Sequence, residues 1–140
     1  MPHPIRARVP AALLAAATLA VLVVAAWLRP SAHGHGTHTA LGLPTCQWVA
    51  LANKPCPTCG MTTAFAHAAD ARPAASFLTQ PLGALLALIT AAVFWGALHA
   101  ALTGTAAPSL FARLVSKWPL IALALAALAA WVYKIATWPQ

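Results

Sequence analysis

Cys56-Pro57-Thr58-Cys59-Gly60 is the stretch of this 140-residue chain where residue type and spacing come closest to chemistry. Two cysteines with two residues between them put both sulfurs on one side of a tight turn. There they can face one metal ion or cycle between dithiol and disulfide. At a helix start the free N–H groups of the first turn also lower a thiol pKa. Cys46, the remaining cysteine, lies upstream in the same segment. A closed tetrahedral zinc site takes four ligands, so Cys46, Cys56 and Cys59 call for a fourth, from His67 or from the upstream histidines. Zinc or copper is the ion this donor set implies. The same residues have a competing use, a disulfide from Cys46 to Cys56 or Cys59 that staples the loop and leaves one thiol free. A single CxxC does not choose between the two.

Upstream, His33, His35 and His38 sit in a glycine-punctuated run, and three imidazoles so close together can bind Cu²⁺, Ni²⁺ or Zn²⁺. Glycine on either side of His35 leaves such ligands unorganised, and no carboxylate stands near to orient them. The run therefore reads first as a solvated linker and only second as a metal site. His67 with Asp70, three residues on, reads as a surface contact on a helical turn. No serine lies in a nucleophile-elbow sequence, and Cys/His catalysis needs a pocket that a loop this small does not build alone. Asp70 is the only acidic residue against eight Lys and Arg. Paired-carboxylate chemistry is thereby excluded, and the balance of the reading is against an enzyme. The basic residues are scattered without a binding motif, so nucleic acid is not the partner; anionic lipid headgroups are.

The elements that carry these residues are dictated by composition. With 61% hydrophobic and 6% charged residues, the chain is neither a soluble domain nor a disordered one. Residues 11–28 form an uncharged run that spans about 27 Å as a helix, close to a hydrocarbon core. Its length exceeds a signal-peptide core, which favours an uncleaved anchor after a cytoplasmic segment 1–10. Residues 82–102 form a second span opened by Pro81 in the first turn, and residues 119–138 a third, with Lys134 near its end to snorkel. Between the spans lie a His/Gly linker (29–45), a cysteine loop with a short helix (46–81) and a basic interfacial segment (103–118). The fold class expected is thus an all-α membrane protein, three transmembrane helices with a short interfacial helix after the CPxCG turn. Trp27, Trp118, Trp131 and Trp138 read as interfacial anchors, and Trp48 as a dock for the loop. Gly83, Ala87 and Ala91 make a small-residue row, as do Gly96, Ala100 and Gly104, for packing within the chain or, less readily, for a homo-oligomer. Positive residues divide evenly between the two sides. The leading flank of the first span, with Arg6 and Arg8, favours the N-terminus inside and residues 30–80 outside.

The run from Cys46 through Ala50-Leu51 to Pro55-Cys56-Pro57-Thr58-Cys59-Gly60-Met61-Thr62-Thr63-Ala64 resembles a family of small bacterial membrane proteins, domain of unknown function 2752. Its pattern is a cysteine, an Ala-Leu pair, CPxCGxTRA, a helix, and an Asn-Pro opening a transmembrane span. Pro57, Gly60, Thr62 and Pro81 match as structural positions of that motif. Thr63 stands where the family has arginine and Gln80 where it has asparagine. The resemblance implies a multi-pass protein of the bacterial inner membrane with a cysteine loop, and it implies no activity. The role expected is binding or assembly, in the lipid bilayer, with a second copy or another membrane protein as partner. The alternative is thiol–disulfide or metal handling by Cys46, Cys56 and Cys59.

Overall fold

The computed structural model describes residues 4–104 and 117–138, with side chains from Arg8 onward, and these are entirely helical and turn. Helix α1 covers Pro4–Trp27, α5 Pro81–Thr103 and α6 Lys117–Ala136. These three are long and apolar enough to cross a membrane, with mean hydropathy of 2.5, 2.0 and 1.8 over Arg8–Trp27, Pro81–Thr103 and Lys117–Ala136. The protein has the architecture of a multi-pass membrane protein, as its composition requires. Each span differs by a few residues from its expected bounds. Most of the expected basic interfacial segment lies outside the described residues; its last two members, Lys117 and Trp118, are already helical and open α6.

Hydroxyls inside the spans are satisfied locally. Thr18 Oγ1 donates to the Leu14 carbonyl at 2.8 Å and Thr90 Oγ1 to Leu86 at 2.7 Å, the remedy available where no water can pair them. Helix α5 lies chiefly against α1, and its contact with α6 is slight. The buried positions of the first two are mostly alanines, among them Ala15, Ala25, Ala84, Ala87 and Ala97. Small side chains let these helices approach, since lipid offers no hydrophobic drive and contact must come from close packing.

Between α1 and α5 the chain makes a 3₁₀ turn at Thr37–Leu41, then α2 (Gln47–Ala52), α3 (Met61–Ala69) and α4 (Pro73–Thr79). The single short helix expected after the CPxCG turn is therefore followed by a second. Proline explains the division. Arg72 (φ −114°, ψ 64°) and Gln80 (φ −159°, ψ 104°) leave the helical region because each precedes a proline, and Pro73 and Pro81 restart helices where a missing N–H costs nothing. The first small-residue row is used within the chain. A Cβ on Gly83 would stand 2.8 Å from the Ala64 Cβ and 3.2 Å from Met61 Sδ, so glycine there lets α3 settle on α5. Gly96 faces open space.

Candidate metal centre

The CPTC segment folds as a turn leading into α3. Cys59 N–H donates to the Cys56 carbonyl at 3.0 Å, Met61 N–H to Thr58 at 3.1 Å, and Gly60 caps the helix at φ 86°. Gln80, fully buried, donates from Nε2 to the Pro57 carbonyl at 3.1 Å and so ties the turn to the start of α5. Trp131 of α6 reaches the same loop, its Nε1 donating to the Pro55 carbonyl at 3.1 Å, while Trp48 packs edge-on against its ring at 6.2 Å. Trp131 thus holds the loop as well as standing near a span end, and Trp48 docks on Trp131.

This brings the sulfurs of Cys46, Cys56 and Cys59 within 4.8 Å of one another. The Cys56 and Cys59 sulfurs are 3.3 Å apart, and Thr58 Oγ1 stands 3.4 Å from Cys56. Cys59 is buried and the other two half-buried. The environments separate the thiols of the CxxC pair. Burial pushes Cys56 up, but hydrogen bonds from Thr58, Cys59 and Cys46 outweigh it and leave Cys56 below the ordinary thiol value. For Cys59, burial and then its bond to Cys56 push the thiol up to about 12. Of the two, Cys56 ionises the more readily and Cys59 keeps its proton the longer.

The three sulfurs line a cavity of about 520 Å³ together with His33, His35 and His38. Here the expectation of an unorganised linker is corrected. Thr37 Oγ1 accepts from the Ser31 N–H at 3.0 Å and is 2.8 Å from Thr63 Oγ1, which is fully buried on α3. His35 stacks on Trp138 with centroids 4.5 Å apart, and its Nδ1 is 2.9 Å from the His33 carbonyl. His38 Nε2 is 3.1 Å from the Pro44 carbonyl. Tertiary contacts supply the order that the glycines withhold. Thr63 is the anchor of this loop.

Lys134 completes the fastening. Expected to snorkel, it is instead turned inward at 7% exposure, donating from Nζ to the carbonyls of Gly34 and Thr79 at 3.1 and 3.0 Å. It joins the histidine loop, the end of α4 and α6. His67 lines a neighbouring cavity with Arg72 and Lys134, which shares Ser31 and His33 with the first, and it is not among the ligand atoms that converge within 4.8 Å. Sequence reading passed over Gln80 and Ser76 as anchors; Ser76 Oγ donates to the Ala64 carbonyl at 2.7 Å. The only signal was a polar residue beside a proline-started span.

Residues 46–95 match DUF2752, a protein family of unknown function. No curated protein and no solved structure matches the chain. The DUF2752 match runs from the first cysteine into α5. It takes in the three converging thiols, α3, α4 and Gln80, and it leaves out the histidine loop and Lys134 that close over them.

Proposed function

We propose that this chain binds a thiophilic metal ion, zinc or copper, on Cys46, Cys56 and Cys59 at one face of a membrane, in a binding or assembly role rather than as an enzyme. The observation that carries the reading is the convergence of three sulfurs from two separate segments within 4.8 Å. Thiolates at about 2.3 Å from a tetrahedral zinc stand about 3.8 Å from one another, so the sulfurs need move only slightly to close on an ion. A histidine of the loop lining the same cavity supplies the fourth ligand. The membrane proposed is the bacterial inner membrane, with the cysteine loop outside. Cysteines placed at Thr39 and Thr137 should then label from the outer side and one at Thr103 from the inner side.

Elemental analysis of detergent-purified protein, reduced and reloaded with Zn²⁺ or Cu⁺, tests the reading. Stoichiometric metal is expected in the parent, with large losses in Cys46→Ser, Cys56→Ser and Cys59→Ser, because a neutral hydroxyl does not replace a thiolate ligand. A parent that takes up no metal from either ion overturns it.

A second reading is favoured by the unequal thiols of the CxxC pair. As a thiol–disulfide protein, Cys56 thiolate attacks a substrate disulfide and expels one substrate thiolate. Cys59, giving its proton to the expelled substrate thiolate, then attacks the Cys56 sulfur of the mixed disulfide, which releases the second substrate thiolate and leaves Cys56 bonded to Cys59. Metal-free protein in which Cys46→Ser has no effect on exchange with a disulfide substrate, while Cys56→Ser abolishes it, would select this reading over the first.

A further inference from the structure

Away from the sulfurs, a cavity of about 600 Å³ opens where the histidine loop, the α3–α4 turn and the end of α6 meet. Its lining includes His67, Arg72, Lys134 and Trp138, and no carboxylate. Asp70, the chain's one acid, is exposed and is not part of the lining, although it lies near enough to His67 to favour its charged form. Two polar atoms at this cavity are buried without any hydrogen-bond partner, His67 Nδ1 and Trp138 Nε1. An indole N–H can only donate, and leaving a buried donor unmade costs on the order of 1–3 kcal/mol. The Lys134 ammonium has three N–H donors and gives two to carbonyls. Arg72 adds a guanidinium at the mouth. Burial first, and then the Arg72 charge, hold His67 below its ordinary pKa against the opposing pull of Asp70.

Donors and cations without acceptors are the complement of an anion with several oxygens. Lys134 sits in the last turn of a span, so the cavity lies at the depth of lipid headgroups. We propose that this cavity binds a phosphate group between Arg72, Lys134, His67 and Trp138. The group belongs either to an anionic phospholipid or to free phosphate, which share the same oxygens. No sulfur lines this cavity, although it adjoins the cysteine cavity through Ser31 and His33.

Native mass spectrometry of the detergent-purified full chain tests it, with phosphatidylglycerol and inorganic phosphate as separate probes. Arg72→Gln is the test variant, since its exposed side chain fastens no element of the fold. Lys54→Gln, which removes an equal charge from a loop lining a different cavity, is the control. Loss of one charge-assisted contact should weaken binding about tenfold in Arg72→Gln and leave Lys54→Gln like the parent. Retention of phosphatidylglycerol without phosphate binding assigns the headgroup; phosphate binding alone assigns a soluble anion. If neither probe binds the parent, or both variants weaken equally, the proposal is overturned.

Discussion

Replacing Gly60 by alanine probes a point where the CPTC turn, the histidine loop and α6 come together. Gly60 has φ +86°, and a Cβ there would stand 2.7 Å from the Gly34 carbonyl oxygen and 3.1 Å from Lys134 Nζ. The left-handed conformation alone costs a non-glycine residue roughly 1–2 kcal/mol. Relieving the contact means moving the Gly34 carbonyl, which accepts from Lys134 at 3.1 Å. A hydrogen bond from a charged donor contributes roughly 1.5–3 kcal/mol, so Gly60→Ala should lose roughly 2.5–5 kcal/mol in all. Gly36 isolates the two effects, because it has φ +82° and nothing within 4 Å of a built Cβ. Gly36→Ala should lose only the conformational part. Thermal unfolding of the two variants in the same detergent should separate their midpoints by roughly 5–10 °C, Gly60→Ala lower. Equal midpoints would refute the close approach of the histidine loop to the cysteine turn, and with it the shared cavity.

In metal-stripped, reduced protein, alkylation should reach Cys56 first, its rate rising through a pKa below the ordinary 9.0, while Cys59 stays protected until the pH approaches about 12. Mass-mapped labelling across pH checks the order, and faster reaction at Cys59 would contradict it. Because folding raises the Cys59 pKa, the native state holds that proton more tightly. Its contribution to stability is intact below the unfolded thiol value and is lost as pH climbs from there through about 12. Lys134→Met removes two bonds from a buried cation, and protease protection of the loop should fall with a stability loss of roughly 2–4 kcal/mol. Thr63→Val should cost roughly 1–2 kcal/mol by removing the buried partner of the Thr37 hydroxyl, which keeps only the Ser31 N–H. The Thr37→Val, Thr63→Val double variant should cost less than the sum of the singles, read from the same unfolding curves.

What the sequence determined by itself follows from local rules. Three runs of about 20 apolar residues can satisfy their backbones in lipid only as helices, so the spans were legible within a few residues. Pro81 announced the start of α5 because proline is free of cost only in a first turn. The nearness of Cys56 and Cys59 was built into their spacing. The rest depended on partners far along the chain. Cys46 joins the pair on a segment that Trp131 holds at Trp48 and, across 76 positions, at the Pro55 carbonyl. The histidine run looked like a free linker because its order comes from Thr63, 26 positions from Thr37, and from Lys134, 100 positions from Gly34. His67 has the right type for a ligand, yet it lines the cavity of Arg72 and Lys134 and is not in the lining of the one that holds the sulfurs. Residue type and spacing state which atoms are capable of chemistry, whereas the direction of a side chain is set by the packing of whole helices. That packing placed the thiols in one cavity and the unpaired donors in another.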